Sequence, residues 1–504
     1  MPASLEDPAH APFAPAIVAF VGLLETLVVV GARSDDHAHI EQLILKQGTE
    51  VLRLLLEICL NMRAASVQAD KVEGADGVMR THHRSGTRQL ETLFGTVVVK
   101  RDRVGARGAE ALVPADASLN MPADRFSFGV RERVVAEAIR GSYDAAVESM
   151  DRTSGADLAK RQAEELVVAA AQDFDAFYDG AQRDAPERGS ATSLLVLSVD
   201  GKGIVMRPDG LRKETRKAAS KGFHKIDGRL SRGEKRNRKR MATVAAVYDL
   251  EARPRTVDDI LGDMRGGVRE QRPRAQGKRV WASVEKSAGD VIHEVFDEVH
   301  AREPEGQRPI VALVDGNATQ IREIRSEARK RGLQVTLVLD IIHVTEYLWG
   351  AAWNVFQEGD PQAKKWVDRY LRMLLEGRAS IVAAAIRRCA TTRGLTQRKG
   401  IDKAADYILG HVDMMRYDQY LAQGMPIATG VIEGACRHLV KDRMDITGAR
   451  WGLKGAEAVL RLRSLSSSGD LADSFAFHRD QEAQRNHLQH YANNDIHWTR
   501  NAAA

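Results

Sequence analysis

Three carboxylates stand where separate predicted elements begin or end. Residues 193–201 and 309–316 each read as a buried apolar strand that finishes in Asp-Gly, at Asp200 and Asp315. Glu433 lies one turn into a predicted helix. Carboxylates gathered in this way can hold two Mg²⁺ ions, which activate the attacking oxygen and stabilise the leaving oxygen in phosphoryl transfer. We therefore predict these three residues as catalytic ligands of two Mg²⁺ ions, with Mn²⁺ as a substitute.

Each of these carboxylates also has a structural interpretation. Asp-Gly after a strand is a common turn signal, so Asp200 and Asp315 could be turn residues. Glu433 in the first turn of a helix would favourably meet the helix dipole, with Thr429 as the N-cap. The case for a site rests on the combination of the three. Three other carboxylates are the alternatives as metal ligands. Asp249 ends another predicted strand, and Asp258 and Asp259 follow it.

Positive charge is concentrated in one stretch of the chain. The protein has 504 residues and a net charge of +5. Residues 201–240 hold fifteen Lys and Arg against four Asp and Glu, a net charge of +11. Such a cluster, which includes Lys202, is typical of a surface that binds nucleic acid phosphates, and we expect DNA binding to weaken with salt. The alternative is a solvated basic loop.

Basic residues also follow the predicted catalytic glutamate. Glu433, Arg437 and Lys441 are spaced by four residues, so they would share one face of a helix. A carboxylate beside two cations suits a metal ion that lies next to a DNA backbone. The alternative is a surface ladder of salt bridges.

The cysteines exclude two common frameworks. They are far apart and form no Cys-x-x-Cys pair, which excludes a zinc ribbon and a disulfide scaffold and fits a reducing, cytoplasmic location. These residues are Cys59, Cys389 and Cys436.

The N-terminal apolar stretch is predicted to be a buried helix. Residues 15–31 are almost wholly apolar, but Glu25 lies near the middle and no basic segment precedes them. A membrane span needs about twenty uninterrupted apolar residues. We therefore expect no membrane association.

The first part of the chain is predicted to be mostly helical. Residues 1–75 form a helical region, and residues 76–125 form a small β-containing segment rich in β-branched residues. Residues 126–190 show short helices across a Gly-containing turn, a pattern typical of a helix-turn-helix. Lys160 and Arg161, early in its last helix, would read DNA. Any three-helix packing unit has a similar pattern.

The second part mixes strands and helices. Residues 191–345 predict three strands, a helix, a strand, a helix and a strand, the order of a ribonuclease H-like sheet. Residues 346–425 predict an α-helical insertion, residues 426–465 complete the core with the Glu433 helix, and residues 466–504 form a polar tail. The fold class is a multidomain α+β protein: a ribonuclease H-like α/β catalytic core with an α-helical insertion, preceded by a helical DNA-binding region. The strands are expected near 193–200, 241–250, 279–284, 309–315 and 333–339.

Two tryptophans share a helical face at the start of the predicted insertion. Trp349 and Trp353 are four residues apart. We expect both indoles to fill the joint between the insertion and the core. The alternative is that one of them stacks on an unpaired DNA base.

Four segments carry a further signal: Leu197-Ser-Val-Asp-Gly201, Val311-Ala-Leu-Val-Asp-Gly-Asn317, Asp340-Ile-Ile-His343 and the run from Thr429 to Trp451. Together they resemble the bacterial insertion-sequence transposases of the ISKra type, within the Mutator-like superfamily of DDE transposases. Similar N-terminal segments around Phe94 and Asn120 extend the resemblance over most of the chain.

The resemblance implies roles for particular residues. Asp200, Asp315 and Glu433 match the acidic triad, and the helical insertion falls before the glutamate. Asp340 and His343 match the superfamily's (Cys/Asp)-x-x-His motif. His343 would orient DNA near the metal ions or position a catalytic aspartate, and its structural alternative is a packing histidine.

Three functions follow as hypotheses. The first is a DDE transposase that binds the terminal inverted repeats of its element as double-stranded DNA, cuts, and transfers strands as a homo-oligomer on DNA. The second is a metal-dependent nuclease or resolvase that cuts without joining. The third is a transposon-derived DNA-binding protein without catalysis. Arg443, in the motif after Glu433, is also expected to contact DNA.

Overall fold

The chain divides into two compact units. The first comprises residues 1–180 with 471–504, and the second comprises residues 181–470. Residues 221–237, in the middle of the +11 segment, lie outside the described residues. The role of this segment in DNA binding therefore stays a prediction. A computed structural model describes residues 8–31, 36–67, 69–180, 193–220, 238–264, 273–446 and 448–495.

The first unit contains the predicted N-terminal helices, the small sheet and the three-helix region. Its helices are α1 (Ala14–Gly31), α2 (His37–Ser66), α3 (Pro114–Ser118), α4 (Phe128–Ala138), α5 (Tyr143–Thr153), α6 (Lys160–Ala170), α7 (Phe174–Gly180) and α20 (Leu471–Asn486). Its 3₁₀ turns are Pro8–Phe13, Leu488–His490 and Ala492–Asn494. Its strands are β1 (Val72–Glu73), β2 (Met79–Arg80), β3 (His82–Thr92), β4 (Gly95–Ala106) and β5 (Ala109–Leu112).

The small sheet has the antiparallel order β3-β4-β5, and α2 packs against β4. β-Branched residues favour this pairing because Val97 and Val99 alternate inward and are fully buried. The Asn61 side chain of α2 accepts from the Lys100 N–H at 2.7 Å and donates to the Val98 carbonyl at 2.9 Å. These bonds fix α2 along the strand, and the predicted β segment is confirmed.

Helix α1 is confirmed as a helix, but the prediction that it is buried is wrong. Val18 and Val28 are 71% and 74% exposed, and only 17% of the most apolar window of this helix is buried. By length and composition, residues 9–31 form a helix that could cross a membrane. A signal sequence or the core helix of a globular protein can have the same length and composition. Apolar composition alone does not tell how much of a helix the rest of the fold covers.

The three predicted helices of residues 127–173 are confirmed as α4, α5 and α6. Ser127 and Ser142 accept N-capping hydrogen bonds at the starts of α4 and α5. Lys160 and Arg161 lie exposed at the start of α6, where the Lys160 ammonium is 2.7 Å from an Asp144 oxygen. Their contact with DNA stays a prediction.

The predicted polar tail, residues 466–504, contains a further helix in its described part. Residue 468 still belongs to a helix, and α20 then packs within the first unit through buried polar groups. His478 of α20 bonds to Asp173 at 2.7 Å and to Arg131 at 2.8 Å, and all three side chains are buried. A polar helix can therefore be core when its charged partners come from distant parts of the chain.

The second unit is built on a five-stranded sheet. The strand order is β10-β9-β6-β7-β8, in which β6, β9 and β10 are parallel and β7 is antiparallel to both β6 and β8. All five predicted strands and the two helices between the later strands are confirmed. The strands are β6 (Ser193–Val205), β7 (Lys239–Glu251), β8 (Gln276–Ser283), β9 (Ile310–Val314) and β10 (Val335–Leu339).

Helices surround this sheet and fill the predicted insertion. The helices are α8 (Lys213–Ser220), α9 (Val257–Met264), α10 (Ala288–Arg302), α11 (Ala318–Lys330), α12 (Ile341–Ala352), α13 (Pro361–Leu375), α14 (Ala379–Thr392), α15 (Lys399–Gly410), α16 (Tyr417–Ala422), α17 (Gly430–Ala435), α18 (Asp442–Met444) and α19 (Leu453–Ser468). A π-turn, Cys436–Lys441, joins α17 to α18, and 3₁₀ turns occur at Pro208–Gly210 and Val412–Met414.

Helix α19 covers the edge strand β8. Its Ser464 and Ser468 hydroxyls accept from the N–H groups of Ala282 and Val280, at 3.2 and 3.1 Å. Glu457 accepts from the next free N–H, that of Val284, at 2.9 Å. The donors of an edge that could otherwise recruit another strand are therefore satisfied by one helix.

Candidate active site

Three aspartates lie side by side at the carboxyl end of the parallel strands. The last registered pair between β6 and β9 is Ser198 with Leu313. Asp200 and Asp315 each lie two residues after their member of this pair. Asp340 directly follows β10, and its N–H donates to the Val314 carbonyl at 2.8 Å. Sheets of this kind place their ligands at this end of the strands. The structure thus brings together the two predicted strand aspartates and the aspartate of the Asp-x-x-His motif.

Asp200 does not occupy a turn, as the Asp-Gly pair had suggested it could. Strand β6 runs on to Val205, and Asp200 pairs with Val244 of β7 within that ladder. Pairing with β9 stops before Asp200 while pairing with β7 continues. The aspartate therefore lies where the parallel strands β9 and β10 have ended and the antiparallel strands continue, which opens one side of β6.

Asp315 lies at a tight turn between β9 and α11. Gly316 has a φ of +92°, and a Cβ there would meet the Tyr407 hydroxyl at 2.7 Å, so a side chain does not fit. The Tyr407 hydroxyl donates to the Asp315 carbonyl at 2.9 Å. The Asp315 carboxylate accepts from the Asn317 N–H at 2.8 Å. These contacts fix the backbone and leave the carboxylate at the rim of the sheet.

Asp340 is fully buried and holds three groups in place. One carboxylate oxygen accepts from the Ile342 N–H at 2.9 Å and caps α12, and the other accepts from His343 Nδ1 at 3.0 Å and from the Thr429 hydroxyl. Because both oxygens are occupied, Asp340 braces the site rather than offering a free ligand. Its bond to His343 raises the pKa of the imidazole to about 9, so His343 is a cation at neutral pH.

Glu433 projects from α17 toward the same end of the sheet. Burial, followed by the nearby charges of Asp340 and Asp200, raises the pKa of the Glu433 carboxyl, while the charge of His343 lowers it. Glu433 has no ion-pair partner among the described residues. The alternative of a salt-bridge ladder along this helix is not found, since Arg437 pairs with Asp442 at 3.6 Å.

The donor set fits a hard divalent cation. One ligand atom each from Asp340, His343 and Glu433 lies within 4.8 Å of the other two. Asp340 is fully buried and accepts from three groups, so we take the less buried Asp200, Asp315 and Glu433 as the carboxylates available to a cation. Oxygen donors with uncompensated negative charge are the ligands that Mg²⁺ prefers.

The predicted DNA-contacting residues near the site divide into two groups. Lys202, Arg437 and Lys441 are exposed, so their predicted role is compatible with their position. The prediction for Arg443 is wrong for this conformation. Its side chain is 3% exposed and its guanidinium lies 4.7 Å from the centre of the Trp451 ring, so it is a packing residue.

The alternative carboxylates are not at this site. Asp249 pairs with Leu195 at the opposite end of β6, where Arg302 and Arg308 bind it. Asp258 pairs with Arg372, and Asp259 caps the start of α9 through Thr256.

The expected packing of the tryptophans is wrong for Trp353, which is 44% exposed. Trp349 is half-buried, and the two rings stack on each other with their centres 5.2 Å apart.

Three functional neighbours were missed by the sequence analysis. The Cys436 thiol donates to Asp200 at 3.2 Å, and burial raises its pKa. Tyr407 supports Asp315, and Thr429 bonds to Asp340 as well as preceding α17. The position of Cys436, three residues after Glu433 on the same helix, was the one available signal.

Comparisons with known proteins add little. No family model and no curated protein matches the chain. Among solved structures, the chain is similar to one in the Drosophila P element transposase strand transfer complex, with a TM-score of 0.25 and 9% sequence identity. That similarity covers 73% of this chain and 83% of the other. A TM-score this low carries no argument about function.

Proposed function

We propose that this protein is a DDE transposase, which binds the terminal inverted repeats of its element, cuts the DNA with two Mg²⁺ ions and joins the ends to target DNA. The observation that carries the proposal is the convergence of Asp200, Asp315 and Glu433 at one end of a sheet, where few cations compensate them. Uncompensated carboxylates are costly unless a cation binds among them. The sequence resemblance to ISKra-type transposases names the same three residues.

The order of elements supports this proposal. Three antiparallel strands followed by two parallel ones, in the order β8-β7-β6-β9-β10, match the ribonuclease H-like core that the resemblance implies. The helices from α12 to α16 leave this core after Asp340 and return before Glu433, as an insertion would.

The residues present can perform distinct parts of the reaction. Bound Mg²⁺ ions would supply the activated oxygen nucleophile and the stabilised leaving oxygen. Asp200, Asp315 and Glu433 would hold the two ions. His343, kept cationic by Asp340, would bind a phosphate oxygen next to them, and exposed Arg437 would bind the backbone further along.

The test is cleavage of duplexes that carry candidate terminal repeats from the DNA flanking the gene. We expect Asp200→Asn, Asp315→Asn and Glu433→Gln each to lower Mg²⁺-dependent cleavage about 10³-fold or more, while end binding in a gel-shift assay persists. Asp258→Asn is the matched control, because this exposed carboxylate lies outside the site. Near wild-type cleavage by any one variant would remove that residue from the triad.

A second assay separates the transposase from a nuclease or resolvase. Pre-cut ends are mixed with a supercoiled plasmid, and joined products are measured. Joining that requires all three carboxylates supports the transposase. Cleavage without any joining would support the nuclease, and the absence of both activities with intact end binding would support a non-catalytic DNA-binding protein.

A further inference from the structure

The helix that carries Glu433 turns one face to the core and is interrupted by a π-turn. Its buried residues fall at the three- and four-residue intervals of an amphipathic helix, and they are Ile432, Ala435, Cys436, Leu439, Val440, Arg443 and Met444. The π-turn at Cys436–Lys441 lies within this buried face. Single π-turns inside helices are rare and are frequent at functional sites.

The π-turn leaves a backbone acceptor that the helix itself does not fill. The Asp442 N–H donates to the Arg437 carbonyl, five residues back. The His438 carbonyl, which would accept that N–H in an α-helix, is therefore deprived of this partner.

Arg463 of α19 fills this position. Its guanidinium donates to the His438 carbonyl, and its Nε donates to the Leu439 carbonyl at 3.0 Å. Two adjacent carbonyls suit the fork of a guanidinium, which a lysine ammonium cannot reproduce. Burial and the charge of Arg443 lower the pKa of Arg463 to about 10, so it remains a cation at neutral pH.

The same turn begins at the acidic site. Cys436 is its first residue, and the buried thiol lies 3.2 Å from Asp200. Glu433 lies one helical turn earlier. A shift of the π-turn would therefore displace both the thiol that holds Asp200 and the carboxylate beside it.

We propose that Arg463 is a positioning residue: by holding the π-turn, it sets Cys436 against Asp200 and places Glu433 for metal binding. The effect on the metal rests on the proposed function, whereas the effect on the turn does not.

The first experiment measures the turn directly through Cys436. Exposed Cys59 and half-buried Cys389 are replaced by serine, so that a thiol reagent such as 5,5′-dithiobis(2-nitrobenzoate) reports on Cys436 alone. We expect Arg463→Lys to raise its reaction rate about tenfold, and to raise amide exchange in residues 437–442, because the turn opens more often. Arg461→Lys is the matched control, since Arg461 lies on the same helix and pairs with Glu457 at 3.5 Å.

The second experiment measures Mn²⁺ affinity by calorimetry in the folded variants. We expect Arg463→Lys to weaken binding about 10–100-fold, as loss of groups that orient metal ligands does, while Arg461→Lys binds as the wild type does. At saturating Mn²⁺, kcat for cleavage should recover at least in part.

The outcomes are distinct. Unchanged Cys436 reactivity and amide exchange in Arg463→Lys would overturn the inference. An opened turn with unchanged Mn²⁺ affinity would overturn its link to the metal ligands. If the wild type binds no Mn²⁺, the proposed function fails, and the thiol and exchange measurements still decide whether Arg463 holds the turn.

Discussion

The two ends of the five-stranded sheet treat their carboxylates in opposite ways. At the start of β6, Asp249 receives Arg308 at 2.6 Å and Arg302 at 3.1 Å. Glu298 and Glu303 join the same network through these arginines, at 2.8 and 2.5 Å. At the other end, Asp200, Asp315 and Glu433 have no arginine or lysine partner among the described residues.

This difference separates carboxylates that build the fold from those that are available to a ligand. A buried charge network with matched partners is costly to break but offers nothing to a cation. An acidic cluster with unmatched charge destabilises the empty protein and binds a cation in compensation. The carboxylates of the first group are buried, whereas Asp200 and Asp315 are half-buried and Glu433 is exposed, so burial and charge balance together distinguish the two groups.

The largest effect on stability is expected at the balanced end. Asp249→Ala leaves two buried arginines without this carboxylate and should lower the free energy of unfolding by about 3–5 kcal/mol. Asp258→Ala, which removes an exposed partner of Arg372, should cost under about 1 kcal/mol. Urea denaturation without divalent cations measures both. In the same assay Asp200→Asn should be neutral or stabilising, and equal losses at Asp249 and Asp200 would break the comparison.

Asp340 tests the comparison within the acidic end itself. It lies beside Asp315, but its oxygens are occupied as those of Asp249 are. Asp340→Ala removes the cap of α12 and the partners of His343 and Thr429, and should cost about 2–4 kcal/mol. Asp315→Ala is the control and should cost less. A loss at Asp340 no greater than that at Asp315 would mean that Asp340 does not brace the site.

Metal binding should reverse the penalty of unmatched charge. Mn²⁺ at a hundred times its Kd should stabilise the wild type by about 2.7 kcal/mol, seen as a rise in Tm that EDTA abolishes. The Asp200→Asn and Glu433→Gln variants should show little of this rise, whereas Asp258→Asn should show all of it. An equal rise in every variant would place the cation elsewhere.

The smallest expected effect is at Trp353, which lies at the C-terminal end of α12. Trp353→Ala loses the stacking contact with Trp349 and should cost only about 0.5–1.5 kcal/mol of stability, because the residue is 44% exposed. If Trp353 stacks on a DNA base, joining of pre-cut ends should fall by about 1–3 kcal/mol in activation free energy. Trp353→Phe is the control that retains a ring. Unchanged joining would make Trp353 a surface residue only.

Strand positions were predictable because each strand is a run of apolar residues between turn signals. The apolar run through Leu197 and the run through Leu313 place Asp200 and Asp315 without any knowledge of contacts. The continuation of β6 beyond Asp200 was not predictable, since Gly201 and Gly203 in the printed sequence favour a turn. Pairing with β7, a long-range contact, overrides that local preference.

Other features depended on partners that a linear pattern cannot supply. Helix α20 has a polar sequence, and its burial becomes clear only when Arg131 and Asp173 contact His478. Arg443 has the positive charge that is typical of a DNA-binding residue, but its side chain packs on Trp451. The π-turn was not predictable, because the buried positions from Ile432 to Met444 follow the three- and four-residue intervals of an ordinary amphipathic helix.

The bond between Asp340 and Thr429 bears on which parts of this protein can vary during evolution. These residues are 89 positions apart, yet their side chains touch, and the Ile341 N–H donates to the Ile427 carbonyl at 2.9 Å. The whole helical excursion therefore leaves and re-enters the sheet at nearly one point. Lengthening such a closed loop costs little, about 0.6 kcal/mol for each doubling. The excursion can thus gain or replace helices at little cost to the neck, provided that α15 keeps Tyr407, whose hydroxyl holds the Asp315 backbone at the acidic end of the sheet.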